Sequence, residues 1–284
     1  FADHIDSDDY LVLEATDAIG GYCKTVVQDG FTWDYSGHFF HFRHPDIEAE
    51  LVSRMGAQRI LKIVKDSRIR FGDGYVDFPF QKNIHQLPHA DFLECLADLV
   101  LKSDARADSF KEMLYARFGR GIAEKFLVPY NEKLYATDLG NLDPDAMGRF
   151  FPYANLEEIV KNFRAGKDQS YNATFTYPEG GAIEYVRAIA KGVDDRKIAL
   201  GEALVGIDLR TRTATTRART IRFEHLVSCI PLHRLLELSR VPFDASLYTS
   251  NKVEVFNLGF DRKGPEGVHW IYYPCLLYTS DAAD

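Results

Sequence analysis

Cysteine is scarce in this sequence, and its four copies are widely separated, at positions 23, 95, 229 and 275. No Cys-x-x-Cys pair occurs, which argues against zinc ribbons and thioredoxin-like redox motifs. Long apolar runs are also missing, because no segment approaches the about 18–20 residues that span a bilayer and none has the pattern of a secretory leader. These absences predict a protein of the reducing cytoplasm without a membrane span.

Blocks of charge, internal repeats and low-complexity segments are absent as well. Lys and Arg number 34 against 42 for Asp and Glu, and the net charge of −8 is spread along the chain. This distribution argues against nonspecific binding to nucleic acid or anionic lipid. Arginines alternate with threonines between positions 210 and 222, a pattern typical of the solvated face of a β hairpin.

Hydrolase and metal motifs are missing too. The sequence has no Gly-x-Ser-x-Gly elbow and no Cys/His arrangement of a recognisable spacing. His38, His41 and His44 are close together, but in a strand positions 38 and 44 share a face and position 41 points away. No carboxylate or thiolate stands nearby at a spacing suited to zinc. The sequence therefore predicts neither a metal site nor a nucleophilic hydrolase.

The 284 residues, 46% apolar and 13% aromatic, suffice for one large domain or two interleaved ones. The chain begins with Phe1, and its last stretch, 275–284, continues no visible pattern and resembles translated sequencing-adapter sequence. We therefore expect a fragment of a longer protein that ends in a non-native tail. We also expect this fragment alone to bind its ligand weakly and to be inactive.

The order of predicted elements is strands, then helices, then strands, which indicates two interleaved domains. The apolar run 9–15 predicts a buried strand, and Asp29-Gly30 between alternating runs predicts a β hairpin. Helical periodicity begins at Pro45, and Gly56 stands where that helix would end. Further strands are predicted at 60–64, 68–71, 75–78, 203–209, 213–217, 220–223, 226–230, 253–260 and 268–273. Further helices are predicted within 89–165, with one start at Asp143-Pro144, and at 182–191.

The most informative chemical pattern is a strand followed by Glu14 and then by Gly20 and Gly21. In dinucleotide-binding βαβ units, an acidic residue about 20 positions after the phosphate-binding glycines binds the adenosine ribose. A carboxylate suits two vicinal hydroxyls because it accepts two hydrogen bonds. The phosphate loop itself, Gly-x-Gly-x-x-Gly, is not in this chain. Glu14 is thus a candidate nucleotide contact, with a solvated strand end as the alternative.

Several motifs in one order resemble a known family. Leu13-Glu-Ala-Thr-Asp-Ala-Ile-Gly-Gly21, Thr25, Asp29-Gly-Phe31 and Asp34-Tyr-Ser-Gly-His38 resemble the N-terminal region of the FAD-dependent amine oxidase and protoporphyrinogen oxidase superfamily. Three later motifs are similar to its UDP-galactopyranose mutase branch: Phe126-Leu-Val-Pro-Tyr-Asn-Glu-Lys133, Phe175-Thr-Tyr-Pro-Glu-Gly-Gly181 and His269-Trp-Ile-Tyr-Tyr-Pro274. The resemblance covers residues 9–274. It implies FAD as the cofactor and a small-molecule substrate, with a UDP-sugar in the mutase branch.

The resemblance also implies which residues bind the adenosine half of FAD. Glu14 would bind the ribose and Ala15 would flank it. Gly20 and Gly21 would let the backbone approach the pyrophosphate, together with Tyr22. The oxidases usually carry Arg at the position of Tyr22, so a phosphate contact from this side chain departs from the family pattern.

For the flavin end, the resemblance places Ser36, Gly37 and His38 beneath the isoalloxazine, and His38 becomes the candidate catalytic residue beside the ring. Ser36 stands where the family commonly has glycine. Val205 would meet the adenine through its backbone. Tyr135 departs from the mutases, which carry Trp after Pro-Tyr-Asn-x-Lys.

Two motifs of the mutase branch have structural alternatives. Asn131 would either contact substrate or bond backbone groups near Pro129. Trp270 and Tyr272 would either stack on a ligand ring or pack in a core.

The fold class predicted from all of this is α/β. A Rossmann-like FAD-binding domain that lacks its N-terminal phosphate loop would comprise residues 1–45 and 178–235. A mixed helical and β substrate domain would comprise residues 46–177 and 236–274.

The leading function is that of an FAD-dependent flavoenzyme of the mutase-like type, with flavin N5 chemistry on a nucleotide sugar. Amine oxidase or protoporphyrinogen oxidase dehydrogenation is the alternative within the family. A noncatalytic nucleotide-binding relic is the alternative of another class. Partners other than a small molecule, and the oligomeric state, are not indicated by the sequence.

Overall fold

The structure is a computed structural model that describes residues 1–103, 105–148, 151–152, 154–165, 174–248 and 250–274. The predicted tail at 275–284 lies outside these residues. The strands are β1 (Val12–Leu13), β2 (Thr25–Gln28), β3 (Phe31–Asp34), β4 (Ile60–Val64), β5 (Ser67–Phe71), β6 (Gly74–Asp77), β7 (Thr174–Pro178), β8 (Ile198–Ala199), β9 (Leu204–Asp208), β10 (Thr213–Thr216), β11 (Thr220–Arg222) and β12 (Trp270–Tyr272). The α-helices are α1 (Pro45–Arg54), α2 (His89–Leu101), α3 (Phe110–Ile122), α4 (Val128–Tyr135), α5 (Leu156–Ala165), α6 (Ile183–Ala190) and α7 (Leu232–Leu238).

The chain divides into two compact units, each built from two separate stretches. Unit 1 comprises Phe1–Ile63 and Phe175–Gly259, and unit 2 comprises Val64–Thr174 and Phe260–Asp284. The predicted boundary after residue 45 differs from this division, because α1 belongs to unit 1. The reason is packing: Met55, next to α1, forms a small buried cluster with Tyr185 and Ala188 of α6.

Unit 1 contains the predicted hairpin and the predicted first helix. β2 and β3 are antiparallel, with Thr25 opposite Asp34. The two turn residues, Asp29 and Gly30, have φ values of 53° and 79°, as a tight hairpin turn that follows the twist of the strands requires. Pro45 occupies the first turn of α1, and Gly56 follows it with a φ of 65°. Both predictions are confirmed.

The other strands of unit 1 form small sheets. β1 pairs in parallel with β8, with Val12 opposite Ile198. β9, β10 and β11 form an antiparallel meander in the predicted order. The parallel pair places Glu14 directly after its first strand, which is where the candidate site begins.

Unit 2 combines a three-stranded sheet with a helical core. β5 pairs with β6 in antiparallel fashion and with β12 in parallel. The core is rich in fully buried aromatic and aliphatic side chains, among them Phe80, Phe110, Phe118 and Ile122. Each such side chain stabilises the fold by about 1.5–3 kcal/mol through removal of apolar surface from water.

Three predicted elements are wrong, and a fourth is shorter and less buried than predicted. Asp143-Pro144 begins a set of turns over residues 144–147 rather than an α-helix. The run 9–15 is a strand only at 12–13, and it is half-buried rather than buried. The runs 226–230 and 253–260 are exposed and form no strand with any described residue. Apolar composition suggested these strands, but a strand also needs a partner for its backbone hydrogen bonds.

No helix in the described part of the chain is long and apolar enough to cross a membrane.

The described cysteines differ sharply in their environment, which predicts their reactivity. Cys229 is exposed, Cys23 is half-buried and Cys95 is fully buried, and all are free thiols. Burial raises the pKa of Cys95 to about 12, so only about one molecule in 10,000 carries the reactive thiolate at pH 8.

We expect iodoacetamide to modify Cys229 readily in the folded protein and Cys95 only after unfolding. Mass spectrometry of tryptic peptides with and without urea measures this difference. Comparable labelling of both residues in the native protein would contradict the burial of Cys95.

Candidate functional site

Glu14 is held rigidly at the carboxyl end of β1. Its backbone N–H donates to the carbonyl of Ala199, and its own carbonyl accepts from the N–H of Glu202, both at 2.9 Å. Its side-chain Oε1 accepts from the backbone N–H and the hydroxyl of Thr16, each at 2.7 Å. The N–H of Thr16 is the main cause that lowers the pKa of Glu14. Glu14 therefore presents an oriented, ionised carboxylate whose Oε2 is not engaged by Thr16.

The predicted adenine contact lies on the segment that also holds Glu14. Glu202 is joined to Glu14 through the backbone, and Val205 follows it in β9 with 47% of its surface exposed. The carboxylate of Glu202 itself accepts from Thr216 and from Arg219, at 2.7–2.8 Å. The ribose and adenine candidates thus lie within one hydrogen-bonded part of unit 1.

The double glycine forms a tight turn with one open side. Gly20 and Gly21 have φ values of 126° and 53°. A Cβ atom at Gly20 would lie 2.8 Å from the Cδ1 of Ile183, whereas a Cβ at Gly21 would meet nothing within 4 Å. The φ of Gly20 favours glycine at that position, and Gly21 leaves its backbone open to a ligand. The side chain of Tyr22 is 85% exposed.

The loop of Ser36, Gly37 and His38 is connected to the double-glycine turn. Ser36 has a φ of 71°, in the left-handed region that favours glycine, which explains why relatives would carry glycine there. The Nε2–H of His38 donates to the carbonyl of Tyr22 at 2.9 Å. In the neutral imidazole, Nδ1 is then the ring nitrogen that can accept a hydrogen bond.

An open cleft of about 540 Å³ lies beside this loop in unit 1. Of the predicted site residues, Ser36 and Gly37 line it. Its other lining residues are Thr32, Trp33, Asp34, Leu61, Tyr177, Pro178, Glu179, Val255 and Asn257. The cleft combines an aromatic wall with carboxylate and amide groups, a composition suited to a planar ring with polar edges.

The sequence interpretation assigned no role to Asp34, which is the most heavily bonded group of this region. Its carboxylate accepts from the hydroxyl of Thr25 at 2.5 Å, from the hydroxyl of Tyr177, and from the backbone N–H of Ala182 at 3.2 Å. The N–H of Ile183 donates to Thr25 Oγ1 at 3.1 Å. The sequence did contain a signal for this cluster. Asp34 ends a predicted strand, and Tyr177 precedes a double glycine at the start of a predicted helix.

The electrostatics of this cluster follow from burial. Burial and the hydrogen bond to Asp34 raise the pKa of the Tyr177 phenol, which therefore stays protonated and donates. The backbone N–H of His38 lowers the same pKa, with a smaller effect. Burial and the charge of Asp34 also raise the pKa of Cys23.

The mutase-like motifs of unit 2 serve its core. Asn131 is buried, and its Nδ2 donates to the carbonyl of Leu127 at 2.6 Å. The ring of Tyr272 stacks on Phe78 at 5.0 Å and meets Tyr130 edge-on at 5.3 Å. Asn131 and Tyr272 thus have the contacts that the structural alternative predicts. The described residues contain no group of three or more His, Cys, Asp or Glu side chains that could hold a metal ion.

Comparisons with known proteins agree on one family. The family described as flavin containing amine oxidoreductase matches residues 5–270. A crystal structure of reduced UDP-galactopyranose mutase is 27% identical with a TM-score of 0.73, and the match covers 82% of this chain and 52% of that one. The chain thus spans about half the length of this relative.

More distant solved structures share the fold. A protein assigned as a protoporphyrinogen oxidase from Exiguobacterium is 18% identical, with a TM-score of 0.59 over 84% of this chain and 57% of that one. Cyclohexylamine oxidase from Brevibacterium oxydans is 17% identical, with a TM-score of 0.53 over 83% and 56%.

Proposed function

Because the chain belongs to the flavin containing amine oxidoreductase family, we propose that the full-length protein is an FAD-dependent enzyme that acts on a nucleotide sugar in the manner of the UDP-galactopyranose mutases. The single observation that supports this most is the 27% identity to reduced UDP-galactopyranose mutase at a TM-score of 0.73. The family and these relatives are FAD-dependent flavoproteins, and FAD, when bound, supplies the reactive ring for either mutase or oxidase chemistry.

The residues of unit 1 fit this cofactor. Glu14 would accept hydrogen bonds from the ribose hydroxyls, because its carboxylate is ionised and held by Thr16. The open side of Gly21 would admit a phosphate against the backbone. Gly37 and Ser36 would support the isoalloxazine from the cleft that they line. We therefore propose that unit 1 binds FAD.

His38 is the candidate catalytic residue. Its Nε2–H is committed to the carbonyl of Tyr22, so Nδ1 would be the atom that accepts a hydrogen bond or a proton beside the ring. The double-glycine turn thus sets the position of the His38 imidazole, and the hydrogen bond to Tyr22 fixes its tautomer. We further propose a cytoplasmic location, because Cys23, Cys95 and Cys229 are free thiols.

Two functions compete with the mutase proposal. The oxidase alternative, hydride removal from an amine or a porphyrinogen, is supported by the shared family. In the alternative of a noncatalytic relic, the segment around Glu14 would bind a nucleotide without turnover.

Substrate assays on the full-length protein separate these functions. We expect conversion of UDP-galactopyranose to UDP-galactofuranose in the presence of dithionite, measured by chromatography, and none under air without reductant. Release of hydrogen peroxide from amines or porphyrinogens in air would instead support the oxidase alternative. FAD binding without either reaction would support the relic.

A further inference from the structure

We propose that Asp34, Thr25 and Tyr177 form a positioning network that holds the flavin-binding loop, Ser36 to His38, in its ligand-ready shape. This inference rests on the proposed function, because it concerns how that loop meets FAD. In the network, Asp34 is the acceptor and the two hydroxyls are donors.

The network begins with a carboxylate whose two oxygens are both used. Oδ1 accepts from Thr25 at 2.5 Å, Oδ2 accepts from Tyr177, and the N–H of Ala182 lies 3.2 Å from each oxygen. Hydrogen bonds to an ionised acceptor are about twice as strong as neutral ones. Removal of one donor would leave a half-buried charge partly unsatisfied.

The backbone around the network is closely packed at Gly181. Gly181 has a φ of 93°, and a Cβ atom there would lie 2.4 Å from Thr25 Cγ2 and 3.0 Å from Asp34 Oδ1. Only glycine therefore lets the start of α6 approach the Asp34 carboxylate this closely. The same Thr25 hydroxyl that donates to Asp34 accepts from the N–H of Ile183.

The other end of the network reaches the predicted flavin loop. Ser36 follows Asp34 by two residues and has a left-handed φ of 71°, a conformation that costs free energy and persists only where the surrounding structure holds it. Asp34, Tyr177, Ser36 and Gly37 all line the same cleft. A loop fixed in this way loses less entropy when a ligand binds.

Unit 1 offers a matched control for Tyr177. Tyr185 is a buried tyrosine of the same unit, and its hydroxyl donates to Thr176 Oγ1 at 2.9 Å. Tyr177→Phe and Tyr185→Phe therefore each remove one hydroxyl and one hydrogen bond from unit 1. Only the first change touches Asp34 and the loop.

The experiment is a titration of the apo form of the full-length protein with FAD, followed by flavin fluorescence, for wild type, Tyr177→Phe and Tyr185→Phe. We expect Tyr177→Phe to raise the Kd for FAD about 10-fold and to alter the visible circular dichroism of the bound flavin. Tyr185→Phe is expected to change the Kd less than about 2-fold, and the melting temperature of each variant is measured so that loss of stability is separated from loss of affinity.

Three outcomes are distinguishable. Selective loss of affinity and a changed flavin spectrum in Tyr177→Phe support the network. Equal Kd values for the two variants, with FAD bound normally by wild type, overturn the network and leave the proposed function intact. A wild-type protein that binds no FAD overturns the proposed function and this inference with it.

Discussion

Replacing Glu14 with alanine is expected to weaken FAD binding by the full-length protein about 100-fold. Two hydrogen bonds from the ribose hydroxyls to a carboxylate would be lost, each worth about 1.5 kcal/mol or more. Thr16 holds the carboxylate in place before the ligand arrives, so the wild-type side chain needs no reorganisation. Isothermal titration of the apo protein with FAD measures the loss.

Two further variants test whether the loss of FAD affinity comes from ribose recognition. Glu14→Gln keeps one acceptor oxygen, so we expect an intermediate loss of about 10-fold. Glu202→Ala is the matched control, because it removes a carboxylate bonded to Arg219 on the neighbouring segment but no proposed ligand contact. A Glu202→Ala variant as weak as Glu14→Ala would show that the effect comes from disturbance of the segment rather than from ribose recognition.

Replacing Gly119 with alanine is expected to have the largest effect on stability, a loss of about 4 kcal/mol in the free energy of unfolding. Gly119 lies inside α3 with a φ of 73° and a ψ of 168°. Its added Cβ would lie 2.4 Å from the carbonyl oxygen of Asp98 and 2.8 Å from the N atom of Leu99. These are backbone atoms of α2, so the clash can be relieved only by separation of the two helices.

Gly72→Ala provides the comparison within unit 2. Gly72 also has a positive φ, of 52°, but nothing lies within 4 Å of its added Cβ. Gly72→Ala is therefore expected to lower the free energy of unfolding by about 1 kcal/mol, through backbone strain alone. Urea unfolding followed by circular dichroism measures both variants. Similar losses for the two would mean that the helices do not approach each other closely at Gly119.

Local features of this fold could be predicted from the sequence because neighbouring residues determine them. Asp29 and Gly30 specify the hairpin turn on their own, and Pro45 and Gly56 mark the two ends of one helix. The meander of β9 to β11 follows from turns between short alternating runs. The family motifs predicted Glu14 and the loop at 36–38 as site residues, and both lie in unit 1.

The parts that were missed depend on distant contacts. Asp34 and Tyr177 are 143 residues apart, and no periodicity links them. The sequence alone predicts an ordinary helix residue at Gly119, and its close approach to α2 is known only from the structure. The run 226–230 was predicted as a strand from its composition, but pairing is a property of two segments and composition describes only one.

The central claim, that the full-length protein holds FAD, is tested most directly by the absorbance spectrum of the purified protein after dialysis. We predict the visible bands of an oxidised flavin, bleached by dithionite, with one FAD for each chain released on denaturation. A colourless protein that also fails to bind added FAD would contradict the account.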